Sequence, residues 1–265
     1  MTRGVVARPL SAGAVLRDQQ GRFSPVGLDA VLGAAELQTR VDRKYLVTPG
    51  EFAILVDRAA KSHAVLEIEG RRDFAYESVY FDTADLQSYL CAARGRRRRF
   101  KVRTRTYLDS ALCVLEVKST GGRGETIKDR APYDVEYRRT LTPSARTFVA
   151  KRVGSPMSLG LDPVLTTRYT RTTLVDFQAG SRMTCDADLE LIDIHGRSHR
   201  MTDRILVETK SPGGAGAADR TLWGLGNRPV RISKYCIGMA VLDTSLLANK
   251  WHRTIRRYFD QAVAA

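Results

Sequence analysis

Two neighbouring stretches of the chain alternate charged and apolar residues with a period of two, which predicts β-strands. The first covers residues 100–106 and the second residues 112–118, with a short turn at 108–110 between them. The charged residues share one face of each run: Lys101, Arg103, Arg105, Glu116 and Lys118. The pattern therefore predicts a hairpin with one face rich in Arg and Lys that also carries a carboxylate.

The same mixture of cations and carboxylates recurs in later predicted strands. RILVETKS places Glu208 and Lys210 on one parity, and SRMTCDADLELI does the same for Arg182, Asp186 and Asp188. Cations directly opposite each other across strands repel unless an anion lies between them. About eight strands with helices between them predict an α+β fold built on a closed antiparallel barrel. Such a barrel would form a channel for a multiply charged anion, and its carboxylates would hold a divalent metal.

The sequence predicts the first residues of two helices. Thr48-Pro49 and Thr142-Pro143 each combine an N-cap residue with proline at the first helical position, and Glu51 completes a capping box at the first of them. Residues 1–26 lack periodicity and are predicted to form a flexible tail. The predicted main domain is 27–243, and residues 244–265 are predicted to contain a C-terminal helix.

Composition narrows the choice of partner. The 265 residues include 43 Lys and Arg against 29 Asp and Glu, a net charge of +14, which favours a polyanionic partner. The four cysteines are scattered without a CxxC pair, so reduced thiols in a cytoplasmic protein are expected rather than a zinc site. No apolar run approaches the roughly 18 residues of a membrane span, and polar residues and Pro interrupt any signal peptide.

The order of short motifs carries a family resemblance. R-x-D-x-K-Y, YFDT, K-x-R-x-R-T-Y, L-E-x-K-S, K-x-R, R-Y-x-R-T, L-x-E-x-K and S-K-Y follow one another between about residues 36 and 243. Each motif is weak alone, but eight in this order resemble the vacuolar transporter chaperone (VTC) domain. That family is the polyphosphate polymerase domain among the triphosphate tunnel metalloenzymes, whose fold is a closed antiparallel barrel with a basic lumen.

The resemblance implies roles for individual residues. Catalytic and phosphate-binding roles are implied for Lys44, Arg103, Arg105, Lys118, Lys128, Arg171 and Arg182. Further phosphate-binding candidates are Lys101, Lys210, Arg231 and Lys234. Glu208 matches the metal-binding glutamate of the family, and Glu116 is a second candidate ligand whose alternative role is to orient Lys or Arg. Two positions depart from the family: Arg231 replaces a lysine, and Thr120 replaces a histidine.

The implied reaction is transfer of the ATP γ-phosphoryl group to a growing polyphosphate chain, with Mn²⁺ or Mg²⁺ on Glu208. Phosphoryl transfer needs mainly positioning and charge neutralisation, so no side-chain nucleophile is expected. One alternative is a metal-dependent triphosphatase on the same scaffold, and another is a module that binds polyphosphate or inositol phosphates without turnover. Nucleic acid is an unfavoured partner because few aromatic residues are interleaved with the cations.

Several charged or aromatic residues have plainer explanations. Asp186 and Asp188 would balance neighbouring arginines as readily as they would bind a metal. His195 and His199 lie in a polar turn, where solvated side chains are expected. Trp251 and Tyr258 lie at helical spacing and favour helix packing over base stacking. Four consecutive arginines at 96–99 cannot all face one lumen, so some are expected outside.

Overall fold

The structure, a computed structural model, describes residues 11–33, 40–120 and 125–259. Its strands are β1 Ser24–Val26, β2 Arg40–Val47, β3 Ala64–Leu66, β4 Phe74–Asp82, β5 Phe100–Tyr107, β6 Leu112–Thr120, β7 Thr126–Tyr133, β8 Asp162–Asp176, β9 Ser181–Asp193, β10 Ser198–Met201 and β11 Ile205–Pro212. Its helices are α1 Ala12–Gln19, α2 Leu28–Gly33, α3 Pro49–Ala59, α4 Gln87–Ala93, α5 Pro143–Val153, α6 Ser155–Leu159, α7 Ala217–Gly224, α8 Lys234–Leu242 and α9 His252–Tyr258. Short 3-10 turns cover Gln20–Arg22 and Val135–Tyr137.

The strands pair in one large, mainly antiparallel sheet, in the order β2-β11-β9-β8-β4-β5-β6-β7. The α+β class is therefore confirmed. The closed barrel is not, because β2 and β7 end this order and no pairing joins them within the described residues. Strand β7 also has features of an edge strand, since Pro132 cannot donate to a further neighbour. Periodicity along single strands predicts which residues share a face, but it does not determine whether two distant edges meet.

Two compact units divide the chain, and each has its own core. Unit 1 draws on Met1–Asp73, Thr170–Asp188 and Met201–Val230. Its apolar core joins one face of β2, β9 and β11 to α1, α3 and α7, and its largest members include Tyr45, Phe52, Leu55 and Met183. Because side chains alternate along a strand, the other face of these strands is available to polar residues.

Unit 2 comprises Phe74–Tyr169, Leu189–Arg200 and Arg231–Ala265. Its strands β4, β5 and β6 pack one face against α5, with Phe81, Val102 and Leu115 beside Val149. The predicted hairpin is confirmed: β5 and β6 pair antiparallel with Arg103 opposite Glu116 and Lys101 opposite Lys118. The charged residues of the hairpin therefore lie on the face that does not carry the α5 core.

Both predicted helix starts are confirmed by their caps. Thr48 and Glu51 form the reciprocal capping box at α3, and the Thr142 hydroxyl accepts from the Ala145 N–H at α5. The N-terminal region differs from the predicted flexible tail. Residues 12–26 instead form α1, a 3-10 turn and β1, because Ser11 caps α1 and Leu16 is buried in the unit 1 core. Residues 1–10 lie outside the described part of the chain.

At Gly13 in α1, the close approach of Asp188 leaves no room for a side chain. A Cβ on Gly13 would lie 1.9 Å from Oδ2 of Asp188, a residue whose φ of 54° places it in the left-handed region within β9. We expect Gly13→Ala to lower the free energy of unfolding by about 1 kcal/mol, because either the Asp188 carboxylate or α1 must shift to make room for the methyl group. Urea denaturation measures this change.

The matched control for that substitution is Gly50→Ala. It lies in the first turn of α3, where an added Cβ meets nothing within 4 Å. This variant should be as stable as the original protein or slightly more stable, since alanine favours a helix. Equal unfolding midpoints for the two variants would show that the Gly13 contact has no energetic importance.

Most of the cysteine side chains are buried. All four cysteines are free, and Cys113, Cys185 and Cys236 are buried. Burial also raises the pKa of the Cys185 thiol, which keeps it protonated. Within the described residues, no helix combines the length and the apolar character needed to cross a bilayer.

Candidate functional site

The charged face of unit 2 is organised around one buried carboxylate, Glu116, whose side chain is 2% exposed. Its neighbours are four cations from β5 and β7. Arg103 donates from Nε to Oε2 at 2.7 Å, and the Arg105 Nη2 lies 3.7 Å from the same oxygen. Lys128 Nζ and Arg130 Nε lie 3.0 and 2.8 Å from Oε1. The cluster thus carries four positive charges against one negative charge.

Two tyrosines of β4 contact the two arginines of β5. Arg103 donates to the Tyr80 hydroxyl at 3.0 Å, and the Arg105 guanidinium lies 5.8 Å from the Tyr76 ring centre. The Tyr76 ring in turn stacks on Tyr169 of β8 at 5.2 Å. These contacts restrict the orientations of the two guanidinium groups.

Three buried polar atoms in these strands lack a hydrogen-bond partner among the described residues. They are the Ser78 and Thr167 hydroxyl oxygens and the Arg105 Nε. Ser78 lies opposite Arg105 in the β4–β5 register. Because an unsatisfied buried polar atom is costly, such atoms side by side indicate a place where a ligand or water supplies the missing bonds.

The remaining predicted cations of unit 2 lie on or beside the same strands. Lys118 lies between Lys101 on β5 and Lys128 on β7 in the strand register. Lys101 donates to the Ser233 hydroxyl at 2.8 Å, which links β5 to the start of α8. Lys234 begins that helix with its Nζ 4.0 Å from the Tyr169 ring centre. Arg231 is exposed.

The cluster lowers the pKa of both Glu116 and Lys128, which favours the charged form of the acid and the neutral form of the amine. Burial acts to raise the pKa of Glu116, but Arg103, Arg105 and Lys128 outweigh it and hold that pKa far below its ordinary value. Burial, assisted by Arg105 and Arg130, lowers the pKa of Lys128 to about 8 although Glu116 opposes the change. Glu116 therefore stays ionised, whereas the charge on Lys128 is sensitive to pH near neutrality.

The second cluster lies in unit 1 around Glu208 on β11. Lys210 Nζ lies 2.8 Å from Oε1 and Lys44 Nζ lies 3.4 Å from Oε2. Asp42 on β2 accepts from Lys210 at 3.2 Å. Burial acts to raise the pKa of Glu208, but Lys44 and Lys210, with Arg171 beyond them, hold it well below its ordinary value. Glu208 is thus a permanently ionised carboxylate whose side chain remains 18% exposed.

The other predicted residues of unit 1 lie on β8 and β9. Arg171 donates to both oxygens of Asp186 at 2.6 and 2.8 Å, so Asp186 balances an arginine, one of its two predicted roles. Arg182 is paired in register with Lys210, and Thr184 with Glu208. The buried Thr184 hydroxyl has no hydrogen-bond partner within the described residues. The Thr184 hydroxyl, on the strand beside Glu208, is therefore available to a ligand or a water molecule.

The two candidate metal ligands differ in how well they fit a cation. The described residues contain no group of three His, Cys, Asp or Glu side chains that would hold a metal alone. Mg²⁺ in phosphoryl-transfer sites, however, is held by one or two carboxylates together with phosphate oxygens and water. Glu208, beside the Thr184 hydroxyl, fits that arrangement. Glu116 fits it less well, because four cations surround its two oxygens and its side chain is 2% exposed, whereas Glu208 has two lysine neighbours and is 18% exposed.

Sequence parity found most of these residues but missed several partners. It brought Arg103, Glu116 and Lys118 to one face, and Glu208 and Lys210 to another. It missed Arg130, although this residue alternates with Lys128 along β7, and the tyrosines Tyr76 and Tyr80, which alternate along β4. The same period-two test would have found all three. That both faces line one lumen remains a prediction, as do the individual roles in catalysis.

Comparisons with known proteins identify the family of the chain. The chain matches the VTC domain over residues 39–243, which is more than half of its length. It therefore belongs to the VTC domain family, as the order of the motifs predicted. No curated protein matches the chain.

One solved structure shares the fold at low sequence identity, and a second is less similar. HpAC1 from Hippeastrum, provisionally assigned as an adenylyl cyclase and described as having a dominant triphosphatase activity, is 17% identical with a TM-score of 0.51. The match covers 76% of this chain and 96% of that one. A protein provisionally assigned as an adenylate cyclase from Vibrio parahaemolyticus matches with a TM-score of 0.40 and 13% identity, over 71% of this chain and 87% of that one.

Proposed function

We propose that the protein is a polyphosphate polymerase that transfers the γ-phosphoryl group of ATP to the end of a phosphate chain. The observation that carries the proposal is the Glu116 cluster, where four cations surround one buried carboxylate and unsatisfied polar atoms lie on the neighbouring strands. Its excess of positive charge suits a ligand with several negative charges close together. Membership of the VTC domain family supports the same substrate class.

The residues divide the work of phosphoryl transfer between them. Arg103 and Arg105 would grip phosphate oxygens bidentately, and Lys101, Lys118 and Lys128 would add positive charge along the chain. Arg171, Arg182, Lys44 and Lys210 would do the same in unit 1, with Arg231 and Lys234 as further contacts. Holding both substrates in line removes most of the entropic barrier, and the fixed cations stabilise the charge of the transition state.

The reaction needs no covalent intermediate on the protein. An oxygen at the end of the acceptor chain forms a bond to the γ-phosphorus as the bond to the β–γ bridging oxygen breaks, and ADP leaves with that electron pair. When bound, Mg²⁺ or Mn²⁺ on Glu208 would neutralise charge on the phosphate oxygens. Thr184 would orient water or a phosphate oxygen beside it.

Incubation with ATP and Mn²⁺ tests the proposal directly. The expected products are ADP and polyphosphate that lengthens with time, resolved by gel electrophoresis and ³¹P NMR. Release of free phosphate without chains would instead identify a hydrolase. The absence of any ATP turnover, together with tight binding of tripolyphosphate, would identify a binding module.

A triphosphatase is the second candidate. The fold is shared with HpAC1, for which a triphosphatase activity is described, and water is as small an acceptor as phosphate. A second reason is the residue at position 120, which is a threonine where the family has a histidine. Thr120 lies on β6, two residues beyond Lys118. Thr120→His should raise the ratio of chain product to free phosphate if this position selects the acceptor, and an unchanged ratio would exclude that role.

The depressed pKa of Lys128 predicts a pH dependence for binding. Above a pH of about 8 the Lys128 amine of the free protein is mostly neutral. Because a phosphate ligand favours the charged amine, Lys128 must then take up a proton when the ligand binds. Tripolyphosphate affinity should therefore fall several-fold between pH 7 and 9, as measured by isothermal titration calorimetry in buffers of different ionisation enthalpy. Lys128→Arg should remove this step while retaining affinity, and a step that persists in this variant would assign the titration to another group.

A further inference from the structure

The strongest concentration of charge outside the two clusters lies in three segments of unit 2. Residues 92–101, 231–242 and 250–259 contain twelve Lys and Arg and no Asp or Glu. The chain as a whole carries a net charge of +14, so most of its excess charge is local to these segments. A charge imbalance of this size is costly unless a polyanion binds to it.

Contacts bring the three segments together. Lys250 donates to the Ala92 carbonyl at 2.9 Å, at the end of α4 from which the arginine run departs. The Thr254 hydroxyl of α9 contacts the Arg231 carbonyl at 3.5 Å. The positive charges of Arg99, Arg231 and Lys101 also lower the pKa of Lys250, after the larger effect of burial, which shows that these cations lie within electrostatic range of one another.

The arginine run itself is exposed and has no acidic neighbour. Residues 94–99 are all exposed, and within the described chain none of the five arginines lies within 4 Å of a carboxylate. This differs from most other arginines of unit 2, such as Arg138, Arg168 and Arg200, which pair with buried or half-buried glutamates. The run is therefore not part of the network that holds the fold together.

We propose that residues 94–99, Arg231 and Lys250 form an exterior track that binds a linear phosphate chain leaving the Glu116 face. Lys101 joins the two regions, because it lies on the charged face of β5 and donates to Ser233 at the start of α8. Flexible arginines suit a ligand with one charge on every repeating unit and no shape of its own. The proposal rests on the proposed function, and it adds that the protein retains its product chain between additions.

The test compares two triple variants with the same change in net charge. Arg96→Gln/Arg97→Gln/Arg98→Gln removes the centre of the track. The control, Arg17→Gln/Arg58→Gln/Lys61→Gln, changes exposed residues of α1 and of α3 and its end in unit 1. Binding of labelled long-chain polyphosphate and of tripolyphosphate is measured by fluorescence anisotropy at several salt concentrations without ATP. Circular dichroism verifies that each variant is folded.

The track variant should bind long chains about tenfold more weakly, with a salt slope lower by about 2–3, as expected when that many phosphate contacts are lost. Its affinity for tripolyphosphate should stay within about twofold, and the control should match the original protein. In turnover assays the track variant should make shorter chains at an unchanged initial rate of ADP release.

Three results would overturn the track. Equal losses in the track variant and the control would show an effect of net charge alone. Equal losses for tripolyphosphate and long chains would show damage to the Glu116 face. Single-stranded RNA of equal charge that binds as tightly, and loses as much in the variant, would assign the surface to nucleic acid. Because binding is measured without ATP, a protein that fails to synthesise chains refutes the proposed function and leaves this test intact.

Discussion

Glu208→Gln is expected to lower metal-dependent turnover of ATP by about 100-fold or more while the fold is retained. The substitution keeps the shape of the side chain but removes the negative charge and replaces one of the two oxygens that would hold Mn²⁺ or Mg²⁺ with an NH₂ group. A loss of this size is typical when one well-placed electrostatic group of a reaction site is removed. The measurement is ADP release over a titration of Mn²⁺, with thermal unfolding as the test of folding.

Asp42→Asn is the matched control for this prediction. Asp42 lies on the neighbouring strand, also contacts Lys210, and loses the same charge on substitution. Its effect should be small, because its side chain is 45% exposed and it is not the predicted ligand. Electron paramagnetic resonance of free Mn²⁺, with a non-hydrolysable ATP analogue present, separates ligation from simple charge balance. Equal Mn²⁺ affinity in Glu208→Gln and the original protein would place the metal elsewhere.

The second large effect is expected for Glu116→Gln. This substitution leaves Arg103, Arg105, Lys128 and Arg130 around a neutral amide, two of them in a largely buried setting. Breaking a buried ion pair from one side commonly costs about 3–5 kcal/mol, and we expect a loss near the lower limit because Lys128 and Arg130 reach solvent. Adding tripolyphosphate should stabilise this variant more than the original protein, since the ligand replaces the missing negative charge.

Glu67→Gln provides the comparison, because Glu67 pairs with the single cation Arg72 in a half-exposed site. It should cost less than about 1 kcal/mol. The pH dependence gives a second check. A carboxylate with a depressed pKa adds stability that is present above its unfolded pKa of about 4.3 and is lost as the pH falls through the folded value. The difference between Glu116→Gln and the original protein should therefore shrink in acid, and a difference that is constant with pH would contradict this account.

The sequence specified local features of this protein better than long-range ones. Parity predicted that Arg103, Glu116 and Lys118 share a face, because side-chain alternation is a property of each strand alone. The caps at Thr48 and Thr142 predicted α3 and α5, because a capping contact involves residues only three positions apart. The same alternation places Arg130 on one face with Lys128, but its position opposite Glu116 depends on the pairing of β7 with β6.

The features that could not be predicted depend on distant partners. Helix α1 is only eight residues long, and it is held by burial of Ala12 and Leu16 in a core that includes strands more than 150 residues away. Barrel closure likewise depends on whether β2 meets β7, which no local pattern encodes. The family resemblance predicted a closed barrel, and the described strands form an open order instead.

The position of Glu116 makes the cluster selective by charge. A fixed anion among four cations already cancels part of their field, so a ligand must offer several negative charges to gain much by binding there. Under the proposed function, a single inorganic phosphate would gain little, whereas a triphosphate or a longer chain would contact several cations at once. Glu116 would then compete with every incoming anion for the same cations, and anions with only one or two charges would bind weakly.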